Sequence, residues 1–423
     1  MGIRLRSLFA GLILTVVHSA WAAGGNLSLE ALYQRAEARS PRIIEFKEYL
    51  DASESDISEA KSGFFPQLTL SGSSRVNQYG ANAYNGSVQS PAYAVGVSTW
   101  NLFDGRKTTN NVVSREYSRD AARQRLMTAQ AELAKEVLDS LIEIQRLKTH
   151  RAAFDRLLKQ SQEISKSIQS QIEVDQGRSS ELFSLNTKLL QISVQEADLI
   201  RREFELKVRL EKLFGDFDLR STPVLRLDEV LPIEDIHQID PNIVPNIAAI
   251  RAEAESAKAL VKTVSAQNYP SINWVIQKST QKDVLDRDTP IYTAITFSID
   301  LFKGFGITNA ERAAASRAGG AQSRYDHAQR EFSVQLKGWG AQIKMLQEQV
   351  RKLAEIESGS FRLLGVAYRR YEVARVTPFE LLDSEQSYYS AQVSHANSRA
   401  ERDQLYARIT TESGLHRRVV GAK

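Results

Sequence analysis

The 423-residue chain contains no cysteine, six histidines, ten prolines and only 8% aromatic residues. Without cysteine there is no disulfide, no thiolate nucleophile and no sulfur ligand for a metal. His18, His150, His237, His327, His395 and His416 are scattered, and none falls in a metal spacing such as H-E-x-x-H. No enzyme, metal or cofactor is therefore expected. Charge of one sign is not in excess either. The 55 basic and 51 acidic residues are interspersed, and Arg4 and Arg6 account for two units of the formal +4. Pairs such as Arg201-Arg202, among Glu196, Glu203 and Glu205, read as a solvated helix face and leave no nucleic-acid footprint. Asp104-Gly105-Arg106-Lys107-Thr108 has the end of a phosphate-loop pattern but not its upstream glycine, and a strand–helix junction explains Gly105.

The scarcity of helix breakers is informative in itself. From Arg106 to Gln171 there is neither proline nor glycine, so one helix of roughly 100 Å is predicted at about 1.5 Å per residue. Leu133, Val137, Leu141, Ile144, Leu147, Phe154, Leu157, Ile164, Ile168 and Ile172 recur at three, four or seven. That spacing makes a narrow coiled-coil seam. Adding 199 carries Leu102-Phe103 onto Leu301-Phe302, Gly105 onto Gly304, Gly215 onto Gly414, and much of the seam onto Phe332, Leu336, Ile343, Leu346, Leu353, Ile356, Leu363 and Tyr371. The chain is a tandem duplication.

At the N-terminus Arg4 and Arg6 precede the apolar run Leu8 to Val17, and Ala20-Trp21-Ala22 fits a small-x-small cleavage site. Residues 1–22 are read as a signal peptide; the run is short for an uncleaved membrane anchor. The first repeat takes 23–215, with strands at 67–78 and 92–103 around the long helix. A linker with Pro223, Pro232, Pro241 and Pro245 covers 216–245. The second repeat takes 246–414, with strands at 271–281 and 291–302, and 415–423 is a tail. In the first strand Leu68, Leu70, Gly72, Ser74 and Val76 alternate with polar residues, and in the fourth Ile295, Phe297, Ile299 and Leu301 alternate with Thr296, Ser298 and Asp300. The second strand is blurred, and its faces cannot be assigned from the pattern.

Strands of 10–12 residues with one polar face match membrane-barrel strands. Four cannot close, since about eight is the smallest membrane barrel, so such a chain must oligomerise. The alternatives are a soluble sheet packed on helices and a periplasmic coiled coil without a pore. The fold class is thus mainly α with a small β part: tandem long-helix hairpins carrying four strands.

The segments Phe65-Pro66-Gln67, Asn101-Leu102-Phe103-Asp104-Gly105, Asp300-Leu301-Phe302-Lys303-Gly304, Tyr371-Glu372-Val373 and Phe379-Glu380-Leu381-Leu382-Asp383 occur in this order. The mature chain resembles the TolC family of outer-membrane channel proteins. The resemblance implies a homotrimer with one 12-stranded barrel in outer-membrane lipid and a periplasmic α-helical barrel. It also implies a periplasmic adaptor and an inner-membrane pump of ABC or RND type as partners. Type I protein secretion is the first expectation, since many drug-efflux relatives carry a lipidated cysteine; efflux of small molecules or metals is the alternative. In the family the helix ends far from the strands close to an aperture ringed by acids. The matching positions are Asp383 and Glu380, with Glu181 as the first-repeat counterpart of Glu380 and Ser184 as that of Asp383. Tyr371 matches a tyrosine of the closure, and Arg375 and Arg178 are candidates for tip closure or adaptor contact, although the family's arginine falls on Val376. Thr377-Pro378-Phe379-Glu380 also reads as a capping box, so Glu380 has two candidate roles. Glu380 and Asp383 are like charges three residues apart, which helix stability alone would not select.

Overall fold

The computed structural model describes residues 28–73, 92–174, 179–216, 223, 225, 227, 231–236, 238–282, 287–373 and 375–421. The expected signal peptide (1–22), the outer part of the first strand (74–78) and much of the linker lie outside the described residues.

Helices α1 (Leu29–Arg39) and α2 (Pro41–Ser62) lead into β1 (Gln67–Ser73) and β2 (Tyr93–Phe103). The unbroken stretch forms α3 (Lys107–Val174), 68 residues long, followed by the return helix α4 (Ser179–Phe214). A single turn, α5 (Ile233–Ile236), precedes the second copy: α6 (Pro245–Ser265), β3 (Ser271–Ser279), β4 (Tyr292–Ser298), α7 (Gly306–Glu372) and α8 (Pro378–Glu412). The C-terminal stretch expected as a tail is instead a short helix, α9 (His416–Val420), which buries His416 and Val419 and packs on α1, α3 and α8.

The helices form a layer one helix thick. α3 packs on α2, α4, α6 and α8, whereas α7 packs mainly on α6 and α8, with smaller contacts to α5 and to the turn Pro241–Ile243. Each long helix thus runs beside two shorter ones stacked end to end. This placement decides which seam residues are covered. All the α3 seam positions from Leu133 to Ile168 are buried. On α7 Phe332, Leu336 and Ile343 are buried, but Ile356 is 54% and Leu363 70% exposed. The repeat therefore carries the seam in sequence but only partly in burial, because fewer long helices pack on α7 than on α3. Val334, Met345, Ile356 and Leu363 make one exposed apolar stripe there, and Phe183, Leu190, Val194, Phe204 and Val208 make another on α4.

The sheet is antiparallel in the order β1-β2-β3-β4, leaving β1 and β4 as open edges. Directly paired residues share a face. The register places Leu68 and Leu70 with Gly96, Ser98 and Trp100, then with Ile272, Trp274 and Ile276, and then with Thr293, Ile295 and Phe297. The opposite face holds Thr69, Ser71, Thr99, Asn101, Asn273, Gln277, Thr296 and Ser298, together with Val95, Val97 and Val275. In β2 the register is regular as far as Asn101, with Val95 and Val97 on the face opposite to Trp100, and a bulge between Asn101 and Phe103 then adds one residue, so Phe103 ends on the same face as Trp100. The fourth strand is shorter than expected. Ser298 pairs with Ser271, and the preceding residue of β3's strand is Pro270, which has no N–H to extend the ladder. Ile299 and Leu301 therefore lie past the strand, exposed at the approach to α7.

Both strand-to-helix junctions turn through two consecutive left-handed residues, Gly105-Arg106 (φ 68° and 69°) and Gly304-Phe305 (φ 58° and 62°). The Asp104 carboxylate accepts from the Thr108 backbone N–H at 2.8 Å and so starts α3. A Cβ at Gly105 would lie 2.6 Å from Cβ of Tyr269, whereas one at Gly304 meets nothing within 4 Å among the described residues. Gly304→Ala is expected to lower stability by about 1 kcal/mol through backbone strain alone. Gly105→Ala, which also forces β3 away from α3, is expected to cost roughly 3 kcal/mol or more. Thermal unfolding of the two variants checks the difference.

Candidate functional site

Two ends of the rod carry distinctive chemistry. At the sheet end Phe64, Phe65, Trp100, Tyr269, Phe302 and Phe305 are exposed around the helix–strand junctions, below the apolar face that holds Ile295 and Phe297. The Trp100 indole N–H donates to the Phe64 carbonyl, and that of Trp274 donates to the Thr293 hydroxyl, both at 2.9 Å. The two rings lie 6.1 Å apart. An apolar band edged by aromatic rings with a polar tip is the profile of a surface at a lipid–water boundary. Among the described residues no helix is long and apolar enough to cross a membrane; the sheet has the membrane character.

At the far end α3, α4, α7 and α8 converge. Ile164, Ile168, Leu185, Leu364, Leu381, Leu382 and Tyr388 form a separate apolar cluster, which holds the polar side chains of the tip in place. The Tyr371 hydroxyl lies 2.7 Å from the Ser167 hydroxyl, joining α7 to α3. Glu380 closes a capping box: its carboxylate accepts from the Thr377 N–H at 3.1 Å, and its own N–H donates to the Thr377 hydroxyl at 3.2 Å. Asp383, half exposed, is ion-paired with Lys188 of α4. The ammonium of Lys188 also lies 5.1 Å from the Phe379 ring centre. Glu380 and Asp383 are therefore not an uncompensated like-charge pair: the cap of α8 accounts for the first and Lys188 for the second. Arg375 is exposed in the turn between α7 and α8. Arg178 lies outside the described residues, and of Glu181 only the backbone, in the first turn of α4, is described.

Sequence reasoning missed a buried network beside this cluster. Glu385, 3% exposed, sits on the apolar stripe of α8 four residues after Leu381 and three before Tyr388. The Tyr368 hydroxyl is 2.6 Å from Glu385 Oε1 and 2.7 Å from Gln160 Oε1. The phenol has one proton to donate and both acceptors lie within reach of it, so Tyr368 ties Glu385 of α8 and Gln160 of α3 to α7. Arg156 donates to the Tyr388 hydroxyl at 3.2 Å. Its signal was available as a charged residue in phase with an apolar helix stripe. Among the described residues no group of three His, Cys, Asp or Glu could hold a metal.

Burial raises the Glu385 pKa above the usual carboxylate value, and the Tyr368 hydrogen bond and the Arg156 charge only partly oppose this. In the folded state the group holds its proton to higher pH than in the unfolded chain. Stability is therefore lost as pH rises from the ordinary carboxylate value near 4.5 through the raised folded one. Glu385→Gln should flatten that dependence, read as hydrogen-exchange protection of α8 amides across pH 4 to 8. An equal slope in the variant would mean that another group sets it.

A family model described as outer membrane efflux protein matches residues 32–209 and 244–415. No curated protein sequence matches significantly. Among solved structures, the Campylobacter jejuni CmeC outer membrane channel aligns with a TM-score of 0.77 at 12% identity, covering 96% of this chain and 94% of its own. The open state of the Neisseria gonorrhoeae MtrE outer membrane channel gives 0.76 at 15%, covering 92% and 89%. The outer membrane protein VceC from Vibrio cholerae gives 0.71 at 18%, covering 91% and 96%. These likenesses establish the shared fold of long helices and a small sheet. With the family match extending over more than half of the sequence, the chain belongs to the outer membrane efflux protein family, whose members are outer-membrane channels with a periplasmic helical extension and not enzymes.

Proposed function

We propose that three copies of this chain close their four-stranded sheets into one 12-stranded outer-membrane barrel and their helix layers into a periplasmic tube. The assembly is a passive export duct served by a periplasmic adaptor and an inner-membrane pump. One observation carries the proposal: the register gathers most of the large apolar side chains, Leu68, Leu70, Trp100, Ile272, Trp274, Ile276, Ile295 and Phe297, onto one face of a sheet with two unpaired edges. In lipid, edge groups of this kind must be paired. The helix layer agrees, since its two open flanks, on α4 and α7, each present an exposed apolar stripe that a neighbouring copy would cover. Polypeptide cargo in type I secretion, with an ABC-type pump, is the reading carried forward from the sequence. Efflux of small molecules with an RND-type pump is the second, favoured by the family's description. Cross-linked co-purification of the pump, together with the secreted proteins and small-molecule sensitivity of a deletion strain, separates the two.

Two substitutions test the duct. Phe297→Arg, on the apolar face, should impair membrane assembly by about 2–4 kcal/mol, the cost of a cation at mid-bilayer depth, while Thr296→Arg on the polar face leaves trimer levels near normal. The reverse result would invert the facing of the sheet. At the tip, Asp383 from three chains is proposed to line the periplasmic aperture, with Tyr371, Arg375 and Arg178 in its closure or in adaptor contact and Glu181 beside it. Glu380 then serves chiefly its own helix. Asp383→Ala should weaken cation selectivity and multivalent-cation block in planar bilayers without loss of trimer. Wild-type selectivity in that variant would remove Asp383 from the pore.

A further inference from the structure

The acid proposed for the aperture has a resident counter-ion. Lys188 and Asp383 come from different repeats, on the return helices α4 and α8, which both pack on α3. Shifted by 199, Lys188 falls on Ser387 and Asp383 on Ser184. The first repeat therefore supplies only the base and the second only the acid, so the pair can form only between the two hairpins. Its geometry is held on both sides. Leu185, one turn before Lys188, and Leu381 and Leu382, just before Asp383, are buried together in the tip cluster. The Phe379 ring lies under the ammonium, a contact that favours a cation there. The Lys188 side chain is 26% exposed and that of Asp383 50%, so the acid remains the more accessible partner.

We infer that Lys188 is a selectivity-determining residue of the duct, setting the effective charge of the Asp383 ring and tying hairpin α3–α4 to hairpin α7–α8 at the tip. This rests on the aperture reading above. With Lys188 in place, each subunit presents a paired carboxylate to a passing ion. With the lysine withdrawn, each presents a full negative charge, and the local field that selects cations rises. The amine takes no part in binding cargo; it acts through Asp383.

The absence of cysteine from the chain allows a test within one assembled channel. Lys188→Cys trimers are placed in planar bilayers, and the potassium-to-chloride permeability ratio is read before and after reaction with an aminoethyl methanethiosulfonate. The variant should exceed wild type on the order of threefold in that ratio, and attaching the ammonium should bring it back towards wild type. A neutral methyl reagent should not. In an Asp383→Asn background both the rise and its reversal should vanish, because coupled residues are not additive. A rise that persists in that background would overturn the counter-ion role. A wild-type ratio for Lys188→Cys, with Asp383→Asn still lowering selectivity, would overturn the pair while leaving the aperture reading intact. No change in either single variant would remove the aperture reading and this inference with it.

Discussion

Unpaired backbone at the two sheet edges is the constraint on which the rest of this molecule depends. A buried N–H or carbonyl without a partner costs several kcal/mol in hydrocarbon, and β1 and β4 each carry a row of them. A single chain cannot answer that cost, since four strands are too few to close. The helix layer meets the same limit in softer form. α3 packs on α2, α4, α6 and α8, so its seam is buried along its length, whereas α7 and α4 keep exposed apolar stripes. Sheet and helices thus both keep unsatisfied surface: the edges β1 and β4, and the apolar stripes of α4 and α7. One cyclic arrangement would satisfy both, which is why the proposed closure of the barrel and of the tube are a single event.

Much of this was legible in the sequence because the signals are local and repeated. The run without proline or glycine gave α3 to within a few residues, and the offset of 199 located its copy. What failed depended on a partner strand or helix. The end of β4 is set by Pro270 across the ladder, and the phase change in β2 by a bulge against β3. Neither is visible in the strand's own alternation. Likewise Ile356 and Leu363 have the same periodicity as Leu157 and Ile164 and differ only in whether a neighbour is present. At the tip, the capping box of Glu380 was readable because its two halves lie three residues apart. The Asp383–Lys188 pair was not, because its halves are separated by most of a repeat and meet only through the fold.

The tip and the rest of the rod treat the duplication differently. Away from the tip the copies agree in backbone: Gly105-Arg106 and Gly304-Phe305 share the same left-handed turn at the strand end, and Gly215 and Gly414 end the return helices at φ 72° and 75°. At the tip the polar residues do not agree. Gln160, Ser167, Tyr368, Tyr371 and Glu385 fall, after the shift, on Gly359, Val366, Gln169, Ile172 and Asn186. A barrel wall can be built from equivalent hairpins, since each presents the same strand and the same seam. Hydrogen bonds and ion pairs between two hairpins need a donor on one and an acceptor on the other, and two identical hairpins facing each other would match like with like.

That requirement gives the tip its energetic character. An apolar contact between the hairpins would hold in many relative positions, because hydrophobic burial is non-directional. The Tyr371–Ser167 hydrogen bond, the Tyr368–Glu385–Gln160 set and the Lys188–Asp383 pair hold only at one geometry. Burying Glu385 works against this order by making its charged form costly, and the raised pKa is the measure of that cost. The tip is therefore fixed by contacts that are directional, individually modest and partly opposed by desolvation. The apolar seam of α3 from Leu133 to Leu157 belongs to a separate cluster and depends on none of these directional contacts, so a shift between the hairpins would cost the tip its geometry first.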